Sequence, residues 1–159
     1  MNSSRLLWWI VWLALAGGLY YLADRAINPN KLSILGDAPS VTLQRGQDGH
    51  YRAEALINGT KVNVLVDTGA TGVAISQKVA DRLQLTSNHA IRTSTANGNT
   101  VAYMARLESV QLGGVKARNV AAVIAPGLDG DVLLGMSFLG RMDVRLFQGK
   151  MTITQVQEE

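Results

Sequence analysis

The sequence predicts a mainly β domain whose sheet closes or folds over on itself, carried behind an N-terminal transmembrane helix. Three observations predict it. Leu6 to Ala23 (LLWWIVWLALAGGLYYLA) carries no charge. From about residue 40 onward the chain falls into seven or more short apolar-alternating runs separated by Asn-Gly, Asp-Gly and Gly-Gly turns, the mark of a closed or folded-over β architecture. Composition agrees: 47% hydrophobic and 17% charged residues in 159 suit one globular domain with an appendage, not a disordered chain or a coiled coil.

The eighteen residues from Leu6 to Ala23 would run roughly 27 Å as a helix, close to the bilayer core of about 30 Å. Trp8, Trp9 and Trp12 fall toward one end and Tyr20 and Tyr21 toward the other, as interfacial aromatic belts do. An apolar surface all round leaves no polar face for water, and a domain this small has no room to bury such a helix. Ala14-Leu15-Ala16 also fits a signal-peptide cleavage site, so anchor and cleaved leader both stand. Residues 1–23 are therefore read as the anchor. Residues 24–39, with Asn28-Pro29-Asn30 and Gly36-Asp37-Ala38-Pro39, read as a linker. Residues 40–159 read as the folded domain.

In that domain Val41-Thr42-Leu43 is a short strand, followed by an Asp48-Gly49 hairpin signal. His50 to Ile57 and Thr60 to Asp67 flank Asn58-Gly59, a pair that tolerates the positive φ angles of a two-residue hairpin turn. Val62, Val64 and Val66 share one face. Ser76 is placed to cap a short helix with Val79, Ala80 and Leu83 inward. Hairpins are expected at Asn97-Gly98 and Gly113-Gly114. Val132-Leu133-Leu134 reads as a buried strand, Ser137 as the cap of a helical turn or two through Arg141, and Val144–Leu146 with Met151–Thr154 as the closing pair.

Composition also excludes chemistry. With no cysteine there is no disulfide framework, thiolate metal site or cysteine nucleophile. Two distant histidines, His50 and His89, are too few for a histidine cage, so no metal and no cofactor are expected. The net charge of +3 is spread along the chain, without the clustering a nucleic-acid footprint requires. Gly135-Met136-Ser137-Phe138-Leu139 lacks the second glycine of a nucleophile elbow. Gly69-Ala70-Thr71-Gly72 lacks the Lys-Ser/Thr of a phosphate loop. Asp129-Gly130-Asp131 reads as a solvated turn before a cation site, and His50, Arg141 and Arg145 as surface residues.

Asp67-Thr68-Gly69-Ala70 is the exception to this blandness. A carboxylate ending the apolar strand Leu65-Val66-Asp67 is costly unless it is hydrogen-bonded, and Thr68, Gly69 and Ala70 can offer backbone N–H groups in a tight turn. Three segments in order, Tyr51 to Ser76 (YRAEALINGTKVNVLVDTGATGVAIS), Ser94-Thr95-Ala96-Asn97-Gly98, and Leu133 to Leu139 (LLGMSFL), resemble the retropepsin-like aspartic proteases, in particular bacterial single-domain members with an N-terminal anchor. The likeness covers about residues 40 to 156. It implies half of a pepsin-type bilobed fold, with Asp67 as catalytic aspartate and Thr68 as the threonine that ties two active-site loops together. Gly69 and Ala70 would complete the loop. Ser94, Thr95, Ala96, Asn97 and Gly98 would belong to the flap over bound peptide, and Leu133, Leu134 and Gly135 to the strand beneath the loop. Thr71 and Met136 stand where retroviral enzymes often carry an acid and an arginine that pair, and the flap tip holds one glycine rather than a run.

The mechanism of such enzymes needs two carboxylates sharing a proton, and this chain has one D-T-G. The resemblance thus implies a homodimer as partner arrangement, acting on a protein or peptide substrate, with the chain single-pass in a bacterial inner membrane and its domain on the periplasmic side. The competing reading keeps the fold and the anchor but makes the domain a peptide-binding module without cleavage.

Overall fold

The computed structural model describes residues 3–27, 39–95 and 98–156. Most of the expected linker (residues 28–38) and two flap residues, Ala96 and Asn97, lie outside them. Helix α1 spans Ser3–Ile27. The strands are β1 (Ser40–Gln44), β2 (Tyr51–Ile57), β3 (Thr60–Val66), β4 (Val73–Ile75), β5 (Ala90–Thr95), β6 (Gly98–Leu112), β7 (Val115–Ile124), β8 (Val132–Leu134), β9 (Met142–Phe147) and β10 (Lys150–Gln155). Two short helices, α2 (Gln77–Arg82) and α3 (Met136–Leu139), lie between them.

Seven strands form one sheet in the order β2-β3-β8-β4-β7-β6-β5. It closes on itself where Leu56 and Ile57 of β2 pair with Gln111 and Val110 of β6. A smaller sheet of order β1-β10-β9 packs beside it. The turns do what their residues dictate. Asn58 and Gly59 take φ of 48° and 80°, and Ile57 faces Thr60 across them. Gln148 and Gly149 (46° and 74°) join β9 to β10 in the same way. Ser76 caps α2, its hydroxyl accepting from the Val79 N–H at 3.4 Å, and Val79 and Ala80 are buried.

Alternation along the strands builds a single core. Val62, Val64 and Val66 of β3, Ile57 of β2, Leu107, Val110 and Leu112 of β6, and Leu134 of β8 all face inward. Leu43, Met151 and Ile153 extend that core into the small sheet.

Three expectations change. The Asp48-Gly49 segment is a turn, but β1 and β2 on either side of it do not form a hairpin. Beyond a bridge between Arg45 and Tyr51, β1 pairs antiparallel with the C-terminal β10, Val41 opposite Ile153 and Leu43 opposite Met151. Four buried apolar side chains matched across that ladder outweigh a local turn signal. Gly98, expected in the flap turn, instead pairs with Thr95 as part of β6; Ala96 and Asn97 lie outside the described residues. The runs around Val101 and Val110 are one strand, β6, of 15 residues. Strand β4, just after the Asp67 loop, has no counterpart in the sequence reading.

Helix α1 stands apart. Its described side chains, 8 to 23, are all exposed, with Trp8 at 67% and Leu19 at 72%. Among the described residues no helix is assigned as long and apolar enough to cross a membrane. Since all three tryptophans lie in α1, a fragment of residues 40–159 should emit only from Tyr51 and Tyr103. It should give a β-rich far-UV spectrum and a cooperative melt. A fragment that stays unfolded would show that α1 is part of the core.

Candidate active site

Strand β3 delivers Asp67 to the end of the sheet. Val66 is buried and Asp67 half-buried, while Thr68 and Gly69 are exposed, so the chain leaves the core at the acid. The carboxylate is not left bare: its Oδ1 accepts the Gly69 N–H at 2.8 Å. The Asp67 N–H donates to the Leu134 carbonyl at 3.0 Å, continuing the parallel β3–β8 ladder in which Val66 faces Leu134. The Ala70 N–H turns back toward the Asp67 carbonyl at 3.4 Å. The loop is thus folded on itself and stitched to β8.

Gly135 is where the loop meets the later segment. A Cβ there would stand 2.3 Å from the Gly72 carbonyl oxygen and 2.5 Å from that of Ala70, so only glycine lets the two backbones approach this closely. Just beyond it, the Met136 N–H donates to the Ala70 carbonyl at 2.8 Å and the Ser137 N–H to Thr71 at 3.1 Å. Through these bonds the chain from Leu134 to Ser137 lies against the Asp67 loop. They also secure Thr71 and Met136 through their backbones, without a charged pair.

Ser137 does not cap α3, as its position suggested. Gly135 occupies the N-cap and makes no side-chain cap bond. The Ser137 hydroxyl instead accepts from the Val73 N–H at 2.9 Å and donates to the Ala121 carbonyl at 2.8 Å. One side chain therefore fastens the outgoing end of the loop to α3 and to β7. Nothing local in the sequence signals this, because the partners lie 64 and 16 residues away.

His50 is expected at the surface. It is exposed, yet it shares a small cavity of about 190 Å³ with Asp67, Thr68 and Leu146. A signal for this was present: Tyr51 pairs with Val66, so counting outward from the Asn58-Gly59 turn puts position 50 across from 67. Beside it, the hydrogen bond from Arg52, helped by the His50 N–H, holds the Asp48 carboxyl below its usual range. Among the described residues Asp67 is the one carboxylate lining that cavity.

The flap strands β5 and β6 pair from Ala90–Tyr103 to Thr95–Gly98, which places Ser94, Thr95 and Gly98 at the hairpin tip. Asp131, weighed as part of a cation turn, ties β3 to the loop before β8: its Oδ2 faces the Asn63 N–H and side-chain amide at 3.4 and 3.3 Å.

Two substitutions test this framework. Gly135→Ala should cost about 3 kcal/mol or more, since the obstructing atoms are backbone; urea denaturation of the full chain reads it. Ser137→Ala should cost about 1–3 kcal/mol by leaving a half-buried N–H without its acceptor. An unchanged midpoint in either would mean the loop is not held as described.

Comparison with known proteins agrees with this geometry. Residues 53–141, more than half of the chain, match the family model of the gag-polyprotein putative aspartyl protease. An uncharacterized protein in the cobV 5′ region of Sinorhizobium sp is 29% identical over 154 residues. The uncharacterized protein RP867 of Rickettsia prowazekii (strain Madrid E) is 34% identical over 104 residues, or 64% of this chain. The chain spans only 66% and 45% of the lengths of these two relatives. Among solved structures, a retropepsin-like aspartic protease from Rickettsia conorii superposes with a TM-score of 0.66 and 28% identity, covering 75% of this chain and 92% of that one. The chain belongs to the gag-polyprotein putative aspartyl protease family and has the retropepsin-like fold.

Proposed function

We propose that this chain is an aspartic endopeptidase, active as a homodimer and anchored by α1 in a bacterial inner membrane with its domain on the periplasmic side. The observation that carries the reading is Asp67 itself. It sits half-exposed at a strand end, with one oxygen held by the Gly69 N–H, in a loop that Gly135 alone permits, and among the described residues no second carboxylate lines its cavity. A single carboxylate cannot both activate water and protonate a carbonyl. A C2 dimer, which brings the same loop twice to its axis, supplies the second.

In that dimer the two carboxylates share one proton, because like charges about 3 Å apart cannot both ionise. The ionised Asp67 takes a proton from a water held between the loops, and the water oxygen bonds to the scissile carbonyl carbon. The partner subunit's Asp67, protonated, gives its proton to the carbonyl oxygen. The tetrahedral intermediate then collapses: a hydroxyl proton returns to a carboxylate, the amide nitrogen is protonated, and the C–N bond breaks. Thr68 would tie the two loops across the axis, and Ser94, Thr95, Ala96, Asn97 and Gly98 would close over the peptide. For the anchor, the support is the charge-free, wholly exposed surface of α1 from Trp8 to Ala23, an apolar area that water does not favour. Confinement to a membrane would also raise the effective concentration for dimerisation.

Activity and membrane measurements check this reading. Hydrolysis of a denatured protein mixture by the full chain should vanish in Asp67→Asn, while peptide binding without cleavage at any pH would favour the binding module. Specific activity should fall on dilution, and excess Asp67→Asn chain should suppress wild type through dead heterodimers; a monomeric chain with concentration-independent activity would exclude the dimer. The rate should be bell-shaped in pH, because losing or gaining a proton on the pair stops turnover. For the anchor, the full chain should stay with membranes through an alkaline wash, and a C-terminal reporter should give a periplasmic signal.

A further inference from the structure

The two ends of the Asp67 loop line different cavities. Asp67 and Thr68 face the small one. Thr71 and Gly72 open into an open groove of about 790 Å³, which runs between the 86–91 segment and strands β6 and β7. Its lining includes Ile91, Met104 and Ala122 on the apolar side and Arg106 and His89 as basic groups, and among the described residues no carboxylate lines it. Met104 is 57% exposed there, an unbranched apolar side chain left open to water beside a protease-like loop.

The charge at one edge is unusual. Arg106 Nη1 donates to the Asn119 side-chain oxygen at 2.9 Å and lies 3.4 Å from the Asn119 carbonyl oxygen. Arg141 Nη2 reaches that same carbonyl at 3.2 Å, and its Nη1 reaches the Arg118 carbonyl at 2.7 Å. Asn119 takes a positive φ of 54° and falls in a gap of the β6–β7 register, between Val120 and Arg118. Two guanidinium groups therefore converge on one carbonyl. Among the described residues neither is paired with a carboxylate, whereas Arg52, Lys61 and Arg145 are. The acid nearest along β6, Glu108, makes no ion pair with them. Arg106 commits only Nη1 to Asn119, so the rest of its fork is available to a planar carboxylate.

We infer that this groove holds an acidic stretch of the substrate polypeptide, with Arg106 as the specificity-determining residue. The inference rests on the protease reading and names the class of substrate for it. An extended substrate leaving the scissile bond toward Thr71 and Gly72 advances about 3.3 Å per residue. A Glu or Asp of the substrate that reaches the far side of the groove meets Arg106, with Arg141 behind it, and neighbouring apolar side chains lie on Ile91 and Met104. The occupant is the substrate itself because the groove begins at the loop that would hold the reacting carboxylates, and because an acid-free, cation-bearing lining complements an acidic chain.

The test separates this from the protease reading by measuring binding on a chain that cannot cleave. Full-length Asp67→Asn is titrated into two fluorescein-labelled peptides that are identical but for a Glu pair replaced by Gln. The pair is placed beside an apolar central segment. Because the twofold axis presents one copy of the groove on each side, the Glu peptide should bind about tenfold tighter than the Gln peptide, and the advantage should shrink with added salt. Adding Arg106→Glu or Arg106→Gln should abolish the advantage, and Arg106→Glu should transfer it to a Lys-bearing peptide. Adding Lys116→Glu, the same charge change at a site outside the groove, should leave it intact. Equal binding of the two peptides, or equal loss from Arg106→Glu and Lys116→Glu, overturns the inference even if the wild-type chain cleaves. Selective binding with no Asp67-dependent cleavage by wild type keeps the groove and overturns the protease reading alone.

Discussion

A Cβ on Gly135 would collide with the carbonyl oxygens of Gly72 and Ala70 at 2.3 and 2.5 Å, and backbone oxygens cannot swing aside as a flexible side chain would. That contact lets the chain after β8 lie directly under the Asp67 loop. From it follow the hydrogen bonds of Met136 to Ala70 and Ser137 to Thr71, and then the Ser137 hydroxyl that fastens Val73 and Ala121. The position of the Asp67 carboxylate is therefore set by backbone packing across the sheet rather than by its neighbours in sequence. A loop held this way loses little freedom when a substrate arrives, which is what preorganisation requires.

The same loop separates two kinds of surface. At its start, Asp67 and Thr68 lie in a small cavity with His50 and Leu146, and the free edge strand β9 carries Leu146 and Phe147 outward. At its end, Thr71 and Gly72 border the large groove with Arg106. Thr71, where retroviral relatives often carry an acid, leaves that groove without a negative charge. At Thr71 and Met136 the loop is held by main-chain bonds rather than by a charged pair.

The folded domain and α1 solve different problems. From residue 39 onward the apolar side chains alternate inward around one core. Along α1 they point outward on every side from Trp8 to Ala23, so their burial, if it occurs, is against something other than this domain.

Much was legible in the residues alone, because its causes are local. Asn58-Gly59 set a hairpin through the φ angles that Asn and Gly tolerate. Alternation at Val62, Val64 and Val66 set the buried face, and Ser76 set a helix start. The D-T-G-A loop and the later Leu-Leu-Gly run identified the family by their order. What lay outside local reach was decided by closure of the sheet. The pairing of β1 with β10 depends on apolar matching across the whole domain, which overrode the Asp48-Gly49 turn. The role of Ser137 depends on partners 64 and 16 residues away. The meeting of Arg106 and Arg141 at Asn119 joins β6, the turn after α3, and β7, segments that only the folded sheet brings together. Turn angles and strand periods are written within a few residues, whereas close approach between distant backbones and the charge of a groove exist only once the core has fixed which strands are neighbours.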